Sequence, residues 1–127
     1  MQEQHLYEYA VIRVVPRVER EEFINVGIIM FSKKAKYLKA ECAVDEKRLN
    51  LLCADCDIDQ IRDNLNALEK ITRGHHDGGP IAALEIPERF RWLTAVRSSV
   101  IQTSRPHPGL SADLEATFER LLTDMVK

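Results

Sequence analysis

The sequence predicts an α+β domain. The expected form is a two-layer domain whose antiparallel or mixed sheet of about four strands is packed by two longer helices and short helical turns. Three observations predict it. The first 44 residues carry period-two apolar runs of β-branched and aromatic residues. From Asp45 the period becomes helical. A last short strand-like run lies between two helical segments near the C-terminus. The order is β-β-β-α-α-β-α, and helices that follow antiparallel strands suit this class. The 127 residues fit one domain, 1–127, with no repeat, low-complexity tract or dividing linker.

The first strand is Tyr7–Val15, with Ala10, Ile12 and Val14 on one face and Tyr7, Tyr9, Val11, Arg13 and Val15 on the other. Pro16 ends its ladder by removing a donor. Arg17–Phe23 is charged and reads as a turn or short helical loop. Asn25–Phe31, "NVGIIMF", is apolar on both faces and is expected to be a central, covered strand. Gly27 within it marks close packing or a bulge. "SKKAK" is a hairpin connection. Tyr37–Val44 then alternates, with Leu38, Ala40, Cys42 and Val44 inward and Lys39 and Glu41 outward. A three-strand meander with one covered face follows.

Asp45 caps a short helix through Leu52. In the next helix Asp57 and Gln60 have capping-box spacing. Ile58, Ile61, Leu65, Leu68 and Ile71 recur at helical spacing, and Gly74 suits the position just past the end. "RGHHDGGP" is a loop. Pro87 opens a short helix, "PERFRWL", with Phe90 packing inward and Trp92 sealing an edge. Ser98–Ser104 is the fourth strand, followed by a turn. The closing helix starts from Ser111 as N-cap, with Leu114, Phe118, Leu121, Leu122 and Met125 on one stripe.

Composition narrows the function. The formal charge is −2, from 18 basic and 20 acidic side chains, so no global attraction draws the chain to nucleic acid or anionic lipid. No apolar run reaches the roughly 20 residues of a membrane span. "MQEQHLYEYA" lacks the pattern of a secretory signal. A cytoplasmic protein with nothing cleaved is expected. The three cysteines, Cys42, Cys53 and Cys56, are too few for a disulfide scaffold. Cys42 falls in a strand alternation as a small core residue. "CADC" at 53–56 lacks a second ligand pair, and it reads as a helix–helix junction with incidental cysteines rather than a zinc or redox motif. His75 and His76 invite a metal reading, yet adjacent histidines in a glycine loop are more often exposed and inert. No metal and no cofactor is expected.

No P-loop, nucleophile elbow, H-E-x-x-H or C₂H₂ finger occurs. Glu19, Glu21 and Glu22 alternate with Arg17 and Arg20, as a solvated turn does. The polar residues that stand out are Arg13, Asn25, Arg97, Ser98 and Gln102, with His107 at the rim. Two guanidinium forks, an amide and a hydroxyl suit a phosphate or carboxylate, and His107 is poised to respond to pH. With no nucleophile–base pair among them, the set points to binding rather than catalysis. It requires the first and fourth strands to be neighbours. A structural alternative stands beside it, in which Arg13 and Arg97 clamp Glu22 or another carboxylate and tie the charged turn to the sheet.

The blocks "YAVIRVVPRVEREEFINVGIIMF", "RGHHDGGPIAAL", "ERFRWLTAVRSSVIQTS" and "HPGL" resemble the DUF3037 family, small bacterial proteins without an established function. The resemblance runs from about Tyr7 into the closing helix. It implies a family pattern including Arg13, Pro16, Glu22, Asn25, Gly27, Gly79, Pro80, Arg89, Phe90, Trp92, Leu93, Arg97, Ser98, Gln102 and Gly109. This chain has "AVRS" where the family often resembles "APRS", and "CADC" does not look like a family feature. Some members have a genomic setting similar to that of partners of HipA-like kinases, which implies an accessory role.

The leading expectation is therefore a non-enzymatic protein-interaction or accessory module whose partner is another protein, in the resemblance a HipA-like kinase system. The alternatives are a small-anion or phosphate-binding protein using Arg13, Arg97, Ser98 and Gln102, and a weak nucleic-acid-binding domain. The last would use Arg13, Arg17, Arg20, Arg97 and Arg105 with Tyr7, Tyr9 or Trp92 for stacking; the interleaved acids argue against it. A homodimer is expected on generic grounds, with Trp92 or Tyr37 at its seam.

Overall fold

The structure, a computed structural model, describes residues 3–95 and 100–127. In chain order it contains β1 (His5–Val14), β2 (Ile24–Ser32), β3 (Tyr37–Cys42), α1 (Glu46–Leu52), α2 (Ile58–Thr72), α3 (Ile86–Leu93), β4 (Ile101–Thr103), β5 (His107–Ser111) and α4 (Leu114–Met125). The five-stranded sheet runs β3-β2-β1-β4, with β5 also on β1. Every pairing is antiparallel. The domain is thus α+β with two longer helices, α2 and α4.

The segment expected to turn after the fourth strand instead forms β5. β4 lies opposite Ile12–Val14, and β5 continues along the same edge of β1 opposite His5–Tyr9. The register steps by one residue between them, from Ile12↔Thr103 to Tyr9↔His107. Pro106, which has no N–H to give, sits in the break. Ser104 holds the break closed. Its N–H donates to Val11 O at 2.8 Å, and its buried hydroxyl accepts from Val11 N–H at 2.9 Å and donates to Arg105 O at 3.1 Å. A polar residue here replaces ladder bonds that the proline interrupts.

The sheet is covered on both faces rather than one. Ala10, Ile12 and Val14 join Ile24, Val26, Ile29 and Phe31 against Leu49 of α1, Ile61, Leu65 and Leu68 of α2, and Phe90 and Leu93 of α3. On the other face Tyr7, Val11, Ile28 and Met30 meet Leu114, Phe118, Leu121, Leu122 and Val126. β2 therefore sends even residues to the first face before Gly27 and odd residues after it. The parity changes because Val26 and Gly27 together oppose Ile12, which is a β-bulge. Gly27 also lies against β3, where a Cβ would come within 2.6 Å of Glu41 O and 2.9 Å of Cys42 Sγ. That approach leaves no room for a side chain at position 27.

Lys39, expected to face solvent, lies under α4. Its Nζ meets Glu115 at 2.9 Å and Glu119 at 3.8 Å, and sits 4.6 Å from the Phe118 ring centre. The stem packs on the apolar surface while the charge finds carboxylates at its margin. The outer N–H of Cys42 donates to Glu69 Oε1 at 3.1 Å, so α2 blunts the β3 edge.

The helix ends follow local chemistry. Asp45 Oδ1 accepts from Lys47 and Arg48 N–H, and Asp57 Oδ1 accepts from Gln60 N–H. The Gln60 side chain does not return to the cap; it donates to Asn64 Oδ1. α2 closes with Gly74 N–H on Ile71 O and His75 N–H on Lys70 O, both at 3.0 Å, with Gly74 at φ 68°. Arg89 Nη1 donates to Ile71 O and Thr72 O at 3.3 Å each, capping the same end from α3. α4 begins later than expected. Ser111 ends β5, and Asp113 is the N-cap, accepting from Ala116 N–H. Ser111 Oγ accepts from Asp113 N–H and is hydrogen-bonded to Thr117 Oγ1 at 2.6 Å. Met125, expected inward, is exposed, and Val126 is buried in its place. Among the described residues no helix is long and apolar enough to cross a membrane.

Candidate functional site

The strand register decides which candidate residues meet. β1 lies between β2 and β4, and Arg13 is directly opposite Asn25 on one side and Gln102 on the other. Directly opposed residues present their side chains to the same face. Arg13, Asn25 and Gln102 therefore form one row on the α4 side of the sheet. Asn25 Nδ2 donates to Met125 O at 3.0 Å, so the row ends at the C-terminus of α4.

Arg13 makes the contact that the sequence does not announce. Its guanidinium carbon lies 4.1 Å from the centre of the Phe23 ring, and Phe23 is 46% exposed. The charge is thus stacked on a ring with an open side. Among the described residues no carboxylate lies within ion-pair distance of Arg13. Glu22, the carboxylate named for a clamp, pairs with Arg20 at 2.6 Å. Arg13 Nε and Asn25 Oδ1 are both buried without a hydrogen-bond partner. A donor and an acceptor therefore stand unmet beside each other, behind an exposed aromatic.

His107 is not part of this row. It pairs with Tyr9, and the two rings are 5.3 Å apart. Four residues of strand separate Tyr9 from Arg13, about 13 Å at the usual rise. Arg97 and Ser98 lie outside the described residues. Phe23 is the residue that sequence reasoning missed. Its signal was an aromatic at the end of an otherwise charged turn, one residue before a strand.

Three other places were singled out by the sequence. Trp92, 39% exposed, borders an apolar cleft of about 380 Å³ between α2, α3 and β4, lined by Leu68, Ile71, Leu93, Val100 and Ile101. Tyr37 packs half-buried against the α4-side core, where burial pushes its phenol up. Tyr7 is buried, and Arg20 pairs with Glu22 at the surface. In the loop after α2, ligand atoms of His75, His76 and Asp77 lie within 4.8 Å of one another. His75 Nδ1 is occupied there, accepting from Asp77 N–H. "CADC" is not incidental: Cys53 and Cys56 are bonded to each other. α1 ends at Cys53 and Asp57 caps α2, so the tight turn between the helices brings their Cα atoms within 5.6 Å.

The family described as "Protein of unknown function (DUF3037)" matches residues 9–126, spanning β1 to the end of α4. The chain belongs to the DUF3037 family. No curated protein and no solved structure matches it. Within this DUF3037 domain, Arg13, Asn25 and Gln102 of the pattern share the row described above, whereas Arg89 and Gly27 serve the fold.

Proposed function

We propose that this domain is a protein-interaction module that receives a carboxylate of a partner protein on the Arg13–Phe23 surface. The observation that carries this reading is the Arg13 guanidinium. It is stacked on a half-exposed ring and lacks a carboxylate of its own among the described residues. A partner carboxylate would accept from that fork, and apolar groups beside it would cover Phe23 and the exposed Met125. A charge-assisted hydrogen bond contributes about 1.5–3 kcal/mol, and arginine and aromatic residues are the usual anchors of interfaces. On the family resemblance, a HipA-like kinase is the first partner to test.

The test is affinity capture from the native host with wild-type protein, Arg13→Gln and Phe23→Ala, after each variant is shown to be folded by circular dichroism. Proteins held by wild type should be lost by both variants. Equal capture by all three overturns the reading. The same row supports a second reading, a small anionic ligand. Calorimetry with inorganic phosphate separates the two: binding that Arg13→Gln abolishes, without any captured protein, favours the anion.

A further inference from the structure

We propose that Cys53 and Cys56 form a reversible thiol–disulfide site that exchanges with a small thiol and its disulfide. The bonded pair is half-buried at the junction of α1 and α2. Two grooves meet on it. One of about 150 Å³ is bordered by Pro16, Arg17 and Ala54, and another of about 300 Å³ by Arg17, Gln60 and Asn64. A co-reactant therefore has a path to the sulfurs.

The bond is poorly placed as a structural staple. It closes a loop of sequence separation three, the kind that constrains an unfolded chain least. The two helices do not need it. Each has its own aspartate cap, and Leu49 and Ile61 anchor them in the core.

The two sulfurs are chemically unequal. Asp55 Oδ1 lies 3.1 Å from Cys53 Sγ. Only the reduced form has a thiol proton to donate there, so the carboxylate favours Cys53 as the neutral thiol. Cys56 immediately precedes Asp57, the N-cap of the 15-residue α2, where the positive end of the helix favours a thiolate. In reduction, the thiolate of a small thiol attacks Cys53 Sγ. The S–S bond breaks, and its electron pair leaves on Cys56. A second small thiolate attacks the sulfur that the first brought in, releasing the small disulfide and a Cys53 thiolate. That thiolate takes a proton and donates it to Asp55. Oxidation runs the same steps backwards: the Cys53 thiolate attacks the small disulfide and expels one small thiolate, and the Cys56 thiolate then attacks Cys53 Sγ and expels the other. The third cysteine stays out of the exchange, because burial pushes the Cys42 thiol well up from its ordinary range.

The test uses the full chain in buffers of reduced and oxidised glutathione, with free thiols trapped by an alkylating agent and counted by mass spectrometry. Across the mixtures the pair should pass reversibly from two trapped thiols to none, while native Cys42 remains unlabelled. With oxidised glutathione, Cys56→Ser, which lacks the closing thiolate, should retain a glutathione on Cys53, while wild type should retain none once its bond has closed. The double variant Cys53→Ser/Cys56→Ser should melt cooperatively within a few degrees of wild type. Three results would overturn the proposal: a bond that survives excess reduced glutathione, thiols that never pair in excess oxidised glutathione, or a double variant that fails to fold. A glutathione that stays on wild-type Cys53 would overturn the assignment of Cys56 as the thiolate that closes the bond.

Discussion

The two faces of the sheet are built differently. The face under α1, α2 and α3 is a dry core in which three helices share the burial, and Phe90 stacks on Phe31 with ring centres 4.9 Å apart. The face under α4 is covered by one helix, and polar groups enter its margin. Lys39 meets Glu115, Ser111 meets Thr117, Asn25 meets Met125 O, and Arg13 lies on Phe23. The first face is organised for stability. The second holds its helix partly through side-chain bonds that depend on single partners, and the candidate recognition row opens on it.

The sharpest way to break the dry face is Phe90→Ala. The ring is fully buried, and its removal should cost about 3–5 kcal/mol, read as a fall in the urea midpoint. A loss below about 1 kcal/mol would mean that this core is not packed as described. Gly27→Ala attacks the bulge that lets β2 serve both faces. Overpacking against the backbone of Glu41 and Cys42 should cost about 1–3 kcal/mol by the same measurement. Unchanged stability would remove the steric account of Gly27.

Arg89→Met tests the cap between α3 and α2. Loss of its bonds to Ile71 O and Thr72 O should cost about 1–3 kcal/mol and speed hydrogen exchange in the last turn of α2 ahead of α4. Exchange accelerated equally everywhere would count against a local cap. The smallest effect belongs to the wetter face. Lys39→Met should cost under about 1 kcal/mol at neutral pH, because the pair is partly exposed. The Lys39 ammonium, then the Tyr37 hydroxyl, hold the Glu115 carboxyl below its ordinary range. A folded-state pKa below the unfolded one contributes stability above the unfolded value, and that stability is lost as pH falls through the folded value. The gap between wild type and Lys39→Met in urea melts should therefore close on acidification below the ordinary carboxylate range. A gap that widens in acid would show that the pair acts otherwise.

Much of this architecture was legible locally. The caps Asp45 and Asp57, the stop at Gly74 and the apolar stripe of α2 each depend on residues a few positions apart, and each occurs as expected. β5 was not legible, because "HPGLS" contains a proline and a glycine that read as turn punctuation; an edge strand tolerates both. The second covered face was hidden by Lys39 and Glu41, whose alternation reads as solvent exposure. Arg13, Asn25 and Gln102 stood out by type, while their meeting depended on registers between strands far apart in the chain.

The sequence by itself determined the class of the domain, the boundaries of α1 and α2 near their caps, the central place of β2 and the polar residues that stand out. These follow from short-range chemistry: side-chain period, backbone-compatible residues and hydrogen bonds within one turn. Tertiary structure decided that α4 would cover the sheet's second face, that Ser104 would bridge the break between β4 and β5, and that Arg13 would lie on Phe23. Those outcomes depend on which distant groups are brought into contact, since burial and hydrogen-bond satisfaction are settled across the whole packed chain and not within any window of it.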